Sequence, residues 1–165
     1  MSFIIRGRVW KYGDNINTDI ISPGQYMSYP VEKQAEHAME AIDAEFAKKV
    51  QPGDLIVAGN NFGSGSSRET AQMVLKYHQI GAIVANSFAR IFYRNSINVG
   101  LPVVEMLDTS VIDEGDEIEI NLFEGKIINH TKGEEYNGTK LPEHLIEMVK
   151  VGGLEPYLAK KLGIS

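Results

Sequence analysis

The 165-residue chain contains no cysteine at all. Disulfides, thiolate nucleophiles, cysteine-zinc sites and conventional iron–sulfur ligation are therefore excluded from it. Basic residues are in the minority: 16 Lys and Arg stand against 22 Asp and Glu, a formal net charge of -6. With no long basic run, the chain lacks the electrostatic footprint of a nucleic-acid binder. No stretch approaches the ~20 apolar residues that span a bilayer, so no membrane association is expected. Residues 1–6 lack a basic segment followed by an apolar block, and the expected location is the cytoplasm. Four histidines, His37, His78, His130 and His144, are scattered without an HxxxH or HExxH pair, so no metal site is expected. Trp10, the one tryptophan, reads as core or interface packing.

What is present is an ordinary globular composition, 43% hydrophobic and 23% charged. A chain of this length buries roughly 70% of its unfolded surface, enough for one domain with its own core. No repeat, low-complexity tract or linker divides residues 1–165, and a single domain is expected. Residues 6–12 read as a strand, followed by the turn cluster Gly13-Asp14-Asn15. Residues 31–50 carry Ala35, Ala38, Met39, Ile42 and Phe46 at three- and four-residue spacing, which predicts one amphipathic helix.

Short continuous apolar runs at 55–58 and 82–85, bounded by turn residues, are the pattern of buried strands. Helical stretches follow each of them, the second starting at Ser87, and residues 102–105 make a further strand. This strand–helix alternation over 54–105 predicts a parallel β-α-β core and an α/β fold. Residues 117–122 alternate strictly and turn at Phe123-Glu124-Gly125, which predicts an antiparallel hairpin. Two helices, opened by Leu141-Pro142 and by Leu154 after Gly152-Gly153, close the chain.

The segment Asn60-Asn61-Phe62-Gly63-Ser64-Gly65-Ser66-Ser67-Arg68-Glu69 joins a buried strand to a helix. Open α/β sheets bind ligands at that place, beyond the carboxyl ends of the strands. Gly63 and Gly65 let a ligand approach the backbone closely. Ser66, Ser67 and Arg68 fall at the helix start, where unpaired N–H groups and the dipole favour an anion. Arg68 adds a fork suited to a carboxylate or phosphate. The GxxxxGK[ST] pattern fails because Ser66 follows Gly65, and GxGxxG fails because Arg68 stands at the third glycine. A non-standard phosphate loop stays open. So does a plain helix cap, since Ser66 and Glu69 have S-x-x-E spacing. Arg90 and Arg94, four apart on one helix, are expected to form salt bridges within the domain, although contact with substrate or a partner is the alternative.

Residues 61–69 resemble the signature of the aconitase swivelling-domain family, in the form of the free-standing small subunits of the isopropylmalate dehydratase and homoaconitase group. Residues 17–23, Asn-Thr-Asp-Ile-Ile-Ser-Pro, resemble that family's second motif. Residues 87–95, Ser-Phe-Ala-Arg-Ile-Phe-Tyr-Arg-Asn, resemble its third, and Gly152-Gly153-Leu154 fits its usual C-terminus. The match runs in order from about residue 6 to residue 158.

The resemblance implies a three-layer β/β/α swivelling domain and a hydro-lyase built from two chains. A separate large subunit would carry a [4Fe–4S] cluster, with no cofactor bound by this chain. By position, Ser66 would be the catalytic base that removes a proton beside a carboxylate, and Asp19 would orient the cationic part of the site. The bland reading of Asp19 is a turn or cap carboxylate. Thr18, Ser67 and Arg68 would bind the substrate carboxylate.

Residues 25–30, with Tyr26, Met27, Ser28 and Tyr29, occupy the loop where this family sets substrate choice, and Met27 is expected to line the pocket. Homoaconitase-like members carry an Arg two residues after the Tyr, and isopropylmalate enzymes an apolar residue. Ser28 is neither. Without a cation there, an extra carboxylate would lack a partner in a dry pocket. The implied substrate is a small hydroxy-dicarboxylate with an uncharged substituent. Isopropylmalate leads, in leucine synthesis, followed by dimethylmalate or citramalate and then homocitrate. A stand-alone module that binds an anionic metabolite is the rival of another class.

Overall fold

Seven short strands form one sheet in the order β4-β3-β2-β1-β5-β6-β7 in the computed structural model, which describes residues 3–66 and 69–163. The strands are β1 (Ile4–Lys11), β2 (Leu55–Ala58), β3 (Ala82–Ala85), β4 (Val103–Glu105), β5 (Glu117–Asn121), β6 (Lys126–Asn129) and β7 (Glu134–Asn137). Between and after them run α1 (Thr18–Ile21), α2 (Val31–Ala35), α3 (Phe46–Lys49), α4 (Glu69–Tyr77), α5 (Arg90–Asn98), α6 (Glu143–Val151) and α7 (Leu154–Lys161). The fold is α/β with a parallel half and an antiparallel half.

β1 joins the two halves. Its first residues, Ile4–Arg8, pair antiparallel with β5, and Val9, Trp10 and Lys11 pair parallel with β2. Gly7 lies just before the changeover, and a Cβ there would sit 2.1 Å from the Gly53 carbonyl oxygen. Only a residue without a side chain lets the backbones pass this closely. In the parallel half every residue of β2 and β3 is buried, so both faces of those strands are covered. β5 alternates instead, with Ile118 and Ile120 buried and Glu117 exposed, as a one-sided sheet requires. α4 packs against α1, α2 and α5, which brings the loops before these helices together.

Three expectations need correction. The predicted helix over 31–50 is interrupted: α2 stops at Ala35, α3 starts at Phe46, and Met39 adopts a left-handed backbone with φ 62°. The amide of Met39 donates to the carbonyl of Ile21, so a tertiary backbone bond replaces a helical one. Ala35, Ala38, Met39 and Phe46 are still buried, whereas Ile42 is exposed. The predicted hairpin has a third strand, since β7 pairs with β6. The helix expected from Ser87 begins at Arg90 because Phe88 bridges in parallel to Phe62.

His78 joins two helices. Its Nε2 lies 2.8 Å from the Ala35 carbonyl and must be the protonated nitrogen, which ties α4 to the end of α2. Trp10 packs edge-on against Phe46 and donates from its indole N–H to Asp54 at 2.9 Å.

Replacing Gly7 by Ala is expected to destabilise the full chain by about 1–3 kcal/mol in urea unfolding, the usual cost of overpacking. Gly13→Ala, where a Cβ meets nothing within 4 Å, serves as the control and should change stability by less than ~0.5 kcal/mol.

Candidate active site

The loops that leave the carboxyl ends of β1, β2 and β3 are joined by backbone hydrogen bonds. Gly59 N–H donates to Gly13, Asn15 to Asn60, Gly63 to Ile16 and Thr18 to Ser64, all at 2.8–2.9 Å. On the other side Phe62 N–H donates to Ser87 at 3.0 Å and Ala89 to Phe62 at 2.9 Å. The parallel pairing of the strands thus continues into the loops. Side chains reinforce it: Asp14 Oδ1 accepts from Asn60 N–H at 2.6 Å, and Ser87 Oγ accepts from Asn61 N–H at 2.8 Å.

The loop after β2 needs its small residues for this path. Asn61, Gly63 and Gly65 have φ of 59°, 83° and 101°, a region that other L-residues enter at a cost. Gly63 also abuts the ring of Phe92, where a Cβ would approach to 2.1 Å. Phe62, fully buried, meets Phe88 and Phe92 edge to face with centroids 5.9 and 5.4 Å apart. An aromatic cluster therefore anchors the base of the loop while its tip stays at the surface.

At that tip Ser66 is exposed and lines a cavity of about 230 Å³ with Thr18, Gly65, Gln72, Arg90 and Asn95. Thr18 donates its hydroxyl to the Ser66 carbonyl at 2.9 Å and is itself buried. α4 starts at Glu69, three residues after Ser66. The N-terminal end of α4, with the positive end of its dipole, lies at the loop. Ser67 and Arg68, expected to bind the substrate carboxylate, lie outside the described residues, as does the Glu69 side chain on which the capping-box reading depends.

Asp19 is exposed on α1, and its Oδ1 accepts from Gly24 N–H at 2.9 Å, so it braces the turn that follows. Asn17 caps α1 through its side-chain oxygen and Ile20 N–H.

The expected specificity loop is a 3-10 turn, Gly24–Tyr26, continuing through Met27, Ser28 and Tyr29. Tyr26 stacks on His37 with centroids 3.6 Å apart, and Gln34 donates to the Tyr29 carbonyl at 2.7 Å. Burial, followed by a hydrogen bond to Glu40, raises the Tyr26 hydroxyl above the ordinary tyrosine value. None of Tyr26, Met27, Ser28 and Tyr29 lines the cavity beside Ser66. Met27 and Tyr29 are each 52% exposed, so Met27 projects outward rather than into that cavity.

Two features differ from the sequence expectation. Arg90 and Arg94 are exposed and form no ion pair among the described residues; Arg90 borders the cavity instead. Gln72, which carries no signal of function in the sequence, is 1% exposed, and among the described residues neither its Oε1 nor its Nε2 has a hydrogen-bond partner. An unpaired buried carboxamide costs about 1–3 kcal/mol. The one available signal was a Gln between Ala71 and Val74 on the apolar face of an amphipathic helix.

The sequence pattern of the aconitase C-terminal domain matches residues 11–108, more than half of the chain. The chain belongs to the aconitase C-terminal domain family. A family member from Methanocaldococcus jannaschii named isopropylmalate/citramalate isomerase small subunit is 53% identical, over 100% of this chain and 99% of its own. One from Thermotoga maritima named 3-isopropylmalate dehydratase small subunit 1 is 54% identical, over 95% and 96%. The crystal structure of a 3-isopropylmalate dehydratase chain from Methanocaldococcus jannaschii superposes with a TM-score of 0.91 at 45% identity, covering 97% of this chain and 96% of that one. The family assignment thus extends to a fold shared along nearly the whole chain.

Thr18→Val keeps the volume and removes the tie to Ser66. The expected result is a loss of about 1 kcal/mol in unfolding free energy, with faster amide exchange confined mainly to residues 61–66. Unchanged exchange there would mean that the hydroxyl does not hold the loop.

Proposed function

We propose that this chain is the small subunit of an iron–sulfur hydro-lyase that isomerises a substituted malate by dehydration and rehydration, with 3-isopropylmalate as substrate in leucine biosynthesis. It works with a large subunit and in the cytoplasm, and it engages neither nucleic acid nor membrane; no helix among the described residues is long and apolar enough to cross a bilayer. The observation that carries the reading is the position of Ser66, exposed beside a surface cavity at the carboxyl end of β2 and just ahead of α4. A second chain can cover such a cleft, whereas a sealed hydroxyl would be out of reach.

The iron–sulfur cluster belongs to the large subunit. This chain has no cysteine, and among the described residues no three His, Asp or Glu gather closely enough for a metal ion. The small subunit supplies the base and part of the anion pocket. Ser66 takes the proton from the carbon beside a substrate carboxylate. Its alkoxide form is stabilised by the N-terminal end of α4 and by the Arg68 cation in a water-excluded site. Ser67 and Arg68 hold the carboxylate, Thr18 contributes to the substrate site by tying down the Ser66 carbonyl, and Asp19 orients the cationic part while its Oδ1 secures the Gly24 turn. Tyr26, Met27, Ser28 and Tyr29 face the substituent once the large subunit closes the site.

Citramalate is the second reading. Ser28 places no cation against the substituent, so a methyl group is accepted on the same terms as an isopropyl group, and one close relative carries both substrates in its name. Homocitrate would bring a carboxylate without a partner.

The test is reconstitution with the large subunit and parallel assays on isopropylmalate, dimethylmalate, citramalate and homocitrate. Isopropylmalate should turn over fastest and homocitrate slowest, and the small subunit alone should be inactive. Ser66→Ala should lower kcat by roughly a hundredfold or more, the loss typical of a group that acts in the transition state. Turnover within a few-fold of the parent, with ~1 kcal/mol of lost stability, would mean that Ser66 is only a helix cap. Tight metabolite binding by the isolated chain in calorimetry would favour the stand-alone binding module.

A further inference from the structure

His37 fits no metal pattern, and the proposed reaction gives it no task, yet it makes a close ring contact. Its imidazole lies flat on the Tyr26 ring, with centroids 3.6 Å apart and planes 9° from parallel. Nδ1 sits 2.8 Å from Glu40 Oε1. An ionised carboxylate only accepts, so Nδ1 carries a proton, and the bond fixes how the imidazole plane is turned. Glu40 also stands beside the Tyr26 hydroxyl, so one carboxylate meets both stacked rings.

The platform beneath the stack is held firmly. Ala35, Ala38 and Met39 are fully buried, which leaves the part-exposed His37 and Glu40 on the outer side of an anchored segment. Its backbone is tied where His37 N–H donates to the Gln34 carbonyl and Met39 N–H to the Ile21 carbonyl. On the facing turn Tyr26 is partly buried, while Met27, Ser28 and Tyr29 are exposed. A side chain already ordered before substrate arrives loses no rotamer freedom on contact, so the contact keeps its full value.

We propose that His37 is a positioning residue for substrate choice: held by Glu40, its imidazole fixes the Tyr26 ring as the wall against which the substituent packs. The inference rests on the reading that this turn faces the substituent. His37 acts through Tyr26 and touches no substrate atom. A fixed wall favours a branched alkyl group, which fills the contact, over a methyl group, which leaves much of it unused. Such packing is alike in the ground and transition states, so it is read in KM rather than in kcat.

His37→Ala is assayed in the two-subunit enzyme on isopropylmalate and citramalate, with His37→Phe as the rescue that restores a flat ring. The alanine variant should raise KM for isopropylmalate about tenfold, the scale on which a pocket senses missing methyl groups. KM for citramalate, and kcat on both substrates, should stay within about twofold of the parent. His37→Phe should bring KM for isopropylmalate back to within about threefold. If His37→Ala does not fold, Glu40→Ala frees the imidazole and should raise the same KM. An unchanged KM for isopropylmalate would overturn the proposal, leaving His37 as a spectator. Equal losses on both substrates, a fall in kcat, or a phenylalanine that fails to rescue would also overturn it, since each marks general damage to the turn. Tyr26→Ala runs alongside. If it shifts the preference between substrates while His37→Ala does not, only this inference fails; if it leaves the preference at the parent value, the reading of the turn fails as well.

Discussion

The site depends on backbone hydrogen bonds that extend the parallel pairing of β1, β2 and β3 beyond their carboxyl ends. Residues 13–18, 59–64 and 87–89 are laced to one another chiefly by main-chain donors and acceptors, with Asp14, Asn15 and Ser87 side chains adding to them. Buried backbone groups must find partners, and here they find them between loops. Ser66 can therefore stand exposed at the end of a loop and still be placed with precision, because everything up to Ser64 is held like a strand.

This lacing also explains the uneven use of residue types. Left-handed backbone at Asn61, Gly63 and Gly65 steers the chain between its two neighbours. The Phe62, Phe88 and Phe92 rings supply apolar anchorage directly beneath, each pair adding about 0.5–1.5 kcal/mol beyond simple burial. Polar tips on an apolar, over-determined base are how a rigid scaffold presents reactive groups.

Much of this was legible in the sequence. Apolar runs at 55–58 and 82–85 identified the parallel core because strands covered on both faces need no alternation. Gly63, Gly65 and Ser66 marked through local chemistry alone the loop that borders the cavity. The broken helix over 31–50 was not legible, since the apolar spacing of Ala35, Ala38, Met39 and Phe46 survives when a tertiary bond from Met39 to Ile21 replaces the helical one. The positions of Arg90 and Gln72 were not legible either. Which face of α5 or α4 meets the loop is decided by packing between helices distant in sequence, and no local pattern encodes it.

The turn that carries Tyr26, Met27, Ser28 and Tyr29 is fastened from beneath. Asp19 holds Gly24, Gln34 holds the Tyr29 carbonyl, and His37 lies flat on Tyr26. Met27 and Tyr29 are each about half exposed, with the Tyr29 ring 6.1 Å from that of Tyr26. Natural variation can therefore exchange what these positions display at almost no thermodynamic penalty, much as interchangeable bits fit one drill chuck. Such a turn accepts point mutations at its exposed positions while the backbone-laced loop that carries Ser66 is left undisturbed.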